Sequence, residues 1–226
     1  MTLQESHLYR EIHEQPAVIE RFLRTQREVT TDLSAEIRRR GITHVVISAR
    51  GTSDNAGRYA TYTLGGFNGL PVALATPSLH TVYQQPPNFR NALVLGISQS
   101  GKSPDIVSVL AEARKQGALT ASITNIVNSP LADESDFVID VQAGDEFAVA
   151  ATKSYTSQVA AISLLSATLA DDANRLAELD RLPEAIDKTL EMNDAIAQVA
   201  PRYRYMSASV VIGRGYNYAT AFEMAL

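Results

Sequence analysis

Residues 96–103, Gly-Ile-Ser-Gln-Ser-Gly-Lys-Ser, match the phosphate-loop pattern G-x-x-x-x-G-K-S/T at every defined position. An apolar run, residues 92–97, precedes the match, and a helical pattern, residues 104–116, follows it. Glycine lets a backbone approach a phosphate closely, and the free N–H groups that begin a helix bind anions. The stretch therefore predicts an anion site, either for a nucleotide with Lys102 on its phosphates or for another phosphate ester.

A second stretch rich in glycine and hydroxyl groups, Arg50-Gly-Thr-Ser-Asp54, follows another apolar run. Serine and threonine hydroxyls can donate to phosphate oxygens. The same side chains could instead only cap the helices that follow them. Two such loops favour the binding interpretation, provided that the fold brings them together.

The apolar pattern alternates between strand and helix along the middle of the chain. Short apolar runs predict five strands, at Val45–Ser48, Val72–Ala75, Leu93–Ile97, Leu119–Ile123 and Phe137–Val141. Helical patterns between them lie at Asn55–Phe67, Ser78–Tyr83, Pro104–Gln116 and Pro130–Glu134. The alternation predicts an α/β fold with three layers, a flavodoxin-like five-stranded parallel sheet covered by helices. In the strand order 2-1-3-4-5, residues 50–54 and 98–103 would meet in one crevice.

Helical patterns flank this sheet on both sides. The pattern of residues 5–40 predicts a helical segment. Pro16 is expected at the start of a helix within this segment, and Gly41 is expected to end the segment. Helices are also predicted at Tyr155–Ala170 and at Asn174–Ala200, the latter broken near Pro183. We expect an N-terminal helical segment at 1–40, a first domain at 41–170 and a helical linker at 171–205.

The last residues repeat the beginning of the first domain. Ser209-Val-Val-Ile-Gly-Arg-Gly-Tyr216 is similar to Val45-Val-Ile-Ser-Ala-Arg-Gly-Thr52, although short strand–glycine–helix units also recur by chance. Residues 206–226 are therefore expected to form the first strand and helix of a second, truncated domain. The sequence ends within a helical pattern, at Leu226, so we expect the chain to be part of a longer protein.

Composition narrows the class of protein. Hydrophobic residues make up 45% and charged residues 20% of the chain, and the net charge is −5, which gives no reason to expect nucleic acid or an anionic membrane as partner. The sequence has no cysteine, which removes thiolate chemistry and favours a cytoplasmic location. The four histidines have no metal-site spacing, so no metal is expected.

Five motifs, in order, resemble the sugar isomerase (SIS) domain family. The similarity is greatest to the isomerase half of glucosamine-6-phosphate synthases and to the glutaminase-free glucosamine-6-phosphate deaminases. The motifs are Glu11-Ile-His-Glu-Gln-Pro16, Arg50-Gly-Thr-Ser53, Ile97-Ser-Gln-Ser-Gly101, the loop Ala143-Gly-Asp-Glu146 with Val149-Ala-Ala-Thr-Lys153, and Gly213-Arg-Gly215 with Ala221-Phe-Glu-Met-Ala-Leu226. The resemblance covers nearly the whole chain and implies a SIS fold with a second SIS domain beginning near residue 206.

The resemblance also implies roles for individual residues. The substrate phosphate would be held by Ser53, Ser98, Gln99, Ser100 and Ser103. The sugar would be contacted by Gly51, Thr52, Val149 and Ala150. Glu146 and Lys153 are possible functional residues, or alternatively an ion pair that stabilises their loop. Ala151 stands where some synthases carry serine, so a contact to a sugar hydroxyl is expected to be missing.

The implied chemistry is aldose–ketose isomerisation, with or without loss of ammonia, in an amino-sugar phosphate. It needs a carboxylate base and neither cofactor nor metal. The family's catalytic lysine and glutamate would fall just after Leu226, so no catalytic residue is expected within the chain, and Glu223 is expected to be structural. The absence of cysteine and the residues Ser103-Pro-Asp105 favour the deaminase branch. The partners implied are a sugar phosphate and a second copy in a homodimer.

Two other functions remain open at this point. SIS domains also serve as non-catalytic sugar-phosphate-binding modules in transcriptional regulators, although residues 1–40 are too short for a convincing helix-turn-helix. An ATPase would need Lys102 on nucleotide phosphates and a magnesium ligand such as Asp140.

Overall fold

The computed structural model describes residues 3–226, which form a parallel sheet with helices on both faces. The strands are β1 (His44–Ser48), β2 (Val72–Leu74), β3 (Ala92–Ser98), β4 (Leu119–Thr124) and β5 (Phe137–Asp140). All pairings are parallel and the order is β2-β1-β3-β4-β5. The predicted α/β fold and strand order are confirmed.

Eleven α-helices are described in residues 3–226, together with short 3-10 helices at Leu3–Glu5 and Ala200–Tyr203. They are α1 (His7–Thr25), α2 (Arg27–Arg39), α3 (Thr52–Asn68), α4 (Ser78–Thr81), α5 (Pro104–Lys115), α6 (Pro130–Asp133), α7 (Lys153–Leu169), α8 (Ala173–Leu179), α9 (Leu182–Leu190), α10 (Asn193–Val199) and α11 (Asn217–Met224). None of them is both long and apolar enough to cross a membrane.

Two hydrophobic cores form because the central strand is buried on both faces. Every residue of β3 is buried, and its side chains alternate: Leu93 and Leu95 join the core formed with α1, α2, α3 and α7. Val94 joins the second core, with α5 and Leu131 of α6. The sheet therefore holds its loops between two packed helical layers.

The N-terminal helical segment differs from the prediction at Pro16. This proline lies inside α1, not at the start of a helix, and Gln26 separates α1 from α2. A proline cannot donate to the carbonyl four residues earlier. Here the side-chain amide of Gln15 donates to that carbonyl, Ile12 O, at 2.9 Å, which explains how the helix continues.

The C-terminal residues also differ from the prediction. Residues 206–214 contain no helix or strand, so the expected strand near Val210–Ile212 is not formed. Extended backbone needs a hydrogen-bonded neighbour, and Val210 and Ile212 are 86% and 91% exposed. The expected helix is present as α11, and it packs on α3. The proposed limits of the linker and of a second domain remain predictions.

Candidate functional site

The carboxyl ends of β1 and β3 lie side by side, which is where ligands bind in sheets of this order. The loop after β1 leads into α3, and the loop after β3 leads into α5. Between them is a cavity of about 230 Å³. Its lining residues are Arg50, Thr52, Ser53, Ser98, Gln99, Ser100, Ser103, Ile106, Ala151, Ser154 and Gln158.

The loop after β3 is shaped by its own hydroxyl groups. Ser98 Oγ accepts from the N–H of Gly101 at 3.2 Å, and Ser100 Oγ accepts from that of Lys102 at 3.4 Å. Gly101 has a φ of +62°, and a Cβ there would lie 2.1 Å from Ser129 Oγ. Only glycine fits this turn, which leads directly into the N-terminus of α5.

The N-terminus of α5 is suited to an anion. Ser103 occupies the N-cap position, but its side chain makes no capping hydrogen bond to the helix. Pro104 has no N–H, and the N–H of Ile106 donates to Ser103 O at 3.1 Å. The Ser103 hydroxyl and the N–H of Asp105 are therefore left for a ligand, next to the positive end of the helix dipole. Arg50 forms an ion pair with Asp105 in the first turn of this helix.

The structure brings all five predicted phosphate-binding residues to the cavity, together with Thr52. Of the other predicted sugar contacts, Gly51 precedes α3 with a φ of +56°, and the exposed Val149 and Ala150 lie beside the lining residue Ala151. None of these three lines the cavity itself. Their contact with a sugar remains a prediction.

The nucleotide interpretation of residues 96–103 fits this geometry poorly. Gly96 belongs to β3, where a Cβ would lie 2.8 Å from Leu131 Cδ1, so it serves packing and not the loop. Lys102 is exposed and does not line the cavity. Asp140 ends β5, which β4 separates from β3. In residues 3–226 no three metal-ligating side chains come together.

Glu146 connects the loop after β5 to the cavity. Its carboxylate accepts from Thr152 N and Thr152 Oγ1, both at 2.8 Å, and from the hydroxyl of Ser154. It also accepts from Gln99 Nε2 at 3.3 Å. Burial would raise the pKa of Glu146, but the hydrogen bonds from Ser154 and Thr152 outweigh it and lower the pKa below its usual value. Glu146 therefore fixes the start of α7 against the phosphate loop.

A family model for the SIS domain matches residues 39–167 of this sequence. The chain belongs to the SIS domain family. This confirms the resemblance found in the motifs, and the model's limits enclose β1 to β5 and most of α7.

Relatives are found among curated proteins and among solved structures. The isomerizing glutamine–fructose-6-phosphate aminotransferase of Aquifex aeolicus is 33% identical over 220 residues, which cover 97% of this chain and 37% of that protein. The chain thus spans well under half of that relative's length. A protein of Silicibacter pomeroyi assigned as a phosphosugar isomerase has 36% identity and a TM-score of 0.87, covering 97% of this chain and 67% of its own.

A second solved structure comes from an aminotransferase, like the Aquifex aeolicus relative. The C-terminal domain of glucosamine-fructose-6-phosphate aminotransferase from Francisella tularensis has 25% identity and a TM-score of 0.79. The match covers 97% of this chain and 65% of that domain. The SIS domain described here is therefore homologous to the isomerase part of those enzymes.

The ion pair between Glu146 and Lys153, which was the alternative to a functional role for these residues, is not formed. Lys153 is buried and pairs with Glu14 of α1, while Glu146 binds the polar groups that begin α7. Lys153 is the first residue of α7, which packs on α1 and so brings Lys153 to Glu14, whereas Glu146 lies in the preceding loop. The ion pair therefore ties the SIS domain to its N-terminal helix.

Glu11 was not recognised as part of the site from the sequence. It is 3% exposed, and its carboxylate accepts from the N–H groups of Phe147, at 2.5 Å, and Ala148, at 3.2 Å. The signal available was the spacing of Glu11 and Glu14, three residues apart on one face of α1. Glu11 holds the loop that carries the predicted sugar contacts at residues 149 and 150, and Glu14 holds the start of α7, which follows that loop.

Glu223 has the structural contacts expected of it. Its carboxylate accepts from Thr52 Oγ1 at 3.0 Å and from Asn55 Nδ2 at 2.8 Å, in the first turn of α3. A carboxylate is stabilised at a helix N-terminus. The contact also places α11 directly beside the loop after β1.

Proposed function

We propose that this chain is the sugar-phosphate-binding part of an amino-sugar phosphate isomerase or deaminase of the glucosamine-6-phosphate type. The observation that carries the proposal is the convergence of two hydroxyl-rich loops and the uncapped N-terminus of α5 on one cavity. Hydroxyl and N–H donors there would bind the phosphate, and the loop at residues 146–151 would contact the sugar. The relatives named for fructose-6-phosphate chemistry support this substrate class.

The deaminase branch is part of the same proposal. The residues Ser103-Pro104-Asp105, which resemble that branch, support it. In the deaminase direction, ammonia leaves the amino sugar and the ketose phosphate is the product. We also propose a homodimer in the cytoplasm. Sedimentation of the purified protein tests the oligomeric state.

We further propose that the catalytic base lies outside the residues described here. No carboxylate lines the cavity among residues 3–226. The nearby carboxylates of Glu146, Glu223 and Asp105 are each held by other groups. The chain 1–226 should then bind a hexose phosphate without turning it over.

Calorimetric titration and a turnover assay test these statements together. We expect glucosamine 6-phosphate and fructose 6-phosphate to bind, and Mg–ATP not to bind. Ser98→Ala should weaken hexose phosphate binding by about tenfold, since one hydrogen bond to a charged group is lost. Ammonia or ketose phosphate release by residues 1–226 would place the base within the chain, with Glu146 or Glu223 as candidates. Binding without turnover by the whole protein would favour a regulatory module instead.

A further inference from the structure

One side chain in the cavity has a polar group that no protein atom satisfies. Gln158, in the second turn of α7, is 1% exposed and lines the cavity. Its Oε1 has no hydrogen-bond partner in the described part of the chain. A buried carbonyl oxygen without a partner is costly, and such atoms are rare unless a ligand or water completes them.

Two residues near Gln158, at positions 151 and 154, also line the cavity, and neither can contact a ligand in the same way. Ser154, one turn earlier on α7, gives its hydroxyl hydrogen to Glu146. Ala151 offers no polar side-chain atom. Of these three lining residues in the described part of the chain, only Gln158 therefore has a polar side-chain atom without a hydrogen-bond partner.

We propose that Gln158 determines specificity by hydrogen-bonding a hydroxyl group of the sugar and not the phosphate. This inference rests on the proposed function. A phosphate dianion has acceptor oxygens only, so it cannot satisfy the unpaired Oε1, whereas a sugar hydroxyl can donate to it. The phosphate already has donors in the serines of the two loops and in the N-terminus of α5.

The amide can also turn by half a rotation and present Nε2 as a donor. The test must therefore separate a contact to the hydroxyl groups from a contact to the phosphate. Inorganic phosphate provides this separation because it carries the anion without the sugar. Gln158→Met keeps the length of the side chain and removes the amide.

Ser157→Ala is the matched control. Ser157 is the preceding residue of α7, is fully buried, and also has a hydroxyl without a partner, but it does not line the cavity. Its removal should leave the binding of both ligands within about twofold of the wild type. Thermal unfolding of both variants shows whether they remain folded.

The experiment titrates glucosamine 6-phosphate and inorganic phosphate into the wild type and both variants. We expect Gln158→Met to weaken the hexose phosphate about tenfold and to leave inorganic phosphate within about twofold. Equal weakening of both ligands would assign Gln158 to the phosphate and overturn the inference. An unchanged affinity for both would overturn it as well.

A series of deoxy-hexose 6-phosphates tests the same contact without relying on the variant's stability. For the wild type, one deoxy analogue should bind about tenfold more weakly than the parent hexose 6-phosphate. For Gln158→Met, the same analogue and the parent should bind with equal affinity. If no deoxy change weakens binding to the wild type, the inference is overturned but the proposed function is not. A wild type that binds neither hexose phosphate nor inorganic phosphate overturns the proposed function together with it.

Discussion

The cavity has two walls that are built in different ways. The phosphate wall, residues 50–53 and 98–103, consists of strand ends and helix starts that follow one another directly in sequence. The α7 wall, residues 146–158, depends on side chains far away along the chain. Glu11 and Glu14 reach it from α1, more than 130 residues earlier.

This difference separates what local pattern specifies from what only tertiary structure can specify. Two parallel strands that are neighbours bring their following loops together whatever else the chain does. A loop without regular structure has no such constraint, and here carboxylates satisfy its N–H groups. Substitutions in the phosphate wall should therefore destabilise the protein mainly through backbone strain. Substitutions in the α7 wall should destabilise it through the loss of single side-chain contacts.

Gly101→Ala should have the largest effect and tests the phosphate wall. The substitution combines a left-handed backbone with a Cβ 2.7 Å from Ser129 Cβ, so we expect a loss of about 3–5 kcal/mol in unfolding free energy. Phosphate binding should disappear with it. Urea denaturation measures the first effect and calorimetry the second.

Gly117→Ala is the matched control for that strain. Gly117 has a φ of +76° but nothing within 4 Å of its Cβ position, so only the backbone cost of about 1–2 kcal/mol applies. If both variants lose the same stability, the close packing of Gly101 on Ser129 has no energetic role.

Glu146→Ala should have the next largest effect and tests the α7 wall. It leaves the buried groups of Thr152 and Ser154 without their acceptor, so we expect a loss of about 2–3 kcal/mol. The exposed Asp145 provides the control, with Asp145→Ala expected within about 0.5 kcal/mol. A loss of stability without any loss of hexose phosphate affinity would show that the α7 wall does not touch the sugar.

The sequence predicted the phosphate wall well because strand periodicity and hydroxyl-rich loops are local features. Every strand of the sheet lies within one residue of its predicted limits, and the flavodoxin-like strand order that was assumed is the order observed. The partners of Glu11, Glu14 and Lys153 could not be predicted in this way. An ion pair depends on where two distant helices meet, and periodicity says nothing about that distance.

The same limit explains the two differences from the predicted structure near the ends of the chain. Pro16 indicated a helix start, but a side-chain amide from Gln15 replaces the missing backbone donor. Residues 209–212 have a strand-like composition, yet in the described structure no strand pairs with them. A local pattern shows that a segment can form a helix or a strand. Whether the segment does so depends on contacts that the pattern does not contain.

Glu11→Gln should have an intermediate effect confined to the α7 wall. The amide keeps one acceptor oxygen but loses the charge, so we expect a loss of about 1–2 kcal/mol in stability. Hexose phosphate affinity should fall about threefold to tenfold while inorganic phosphate affinity stays constant. The exposed Glu20 of the same helix is the control, as Glu20→Gln. Equal weakening of both ligands would mean that the two walls are not independent.

The charge of Glu146 should give the α7 wall a pH dependence. Its pKa in the folded protein lies below the ordinary 4.5, so the folded state binds fewer protons than the unfolded state in this range. The stabilisation is fully present above about pH 4.5 and is lost as the pH falls through the lower, folded-state value. Denaturation of the wild type and of Glu146→Gln between pH 3 and 7 should show their difference shrinking at acid pH. A constant difference would contradict the charged contact.

Lys102→Ala should have the smallest effect, although its position in the phosphate-loop pattern suggests the opposite. The side chain is exposed and does not line the cavity, so the phosphate wall should bind through hydroxyl and N–H donors. We expect hexose phosphate affinity to fall by no more than about threefold, the effect of one screened surface charge. Lys115→Ala, which removes an exposed charge at the far end of α5, is the control. Tight binding of Mg–ATP that is lost in Lys102→Ala would instead make residues 96–103 a nucleotide site.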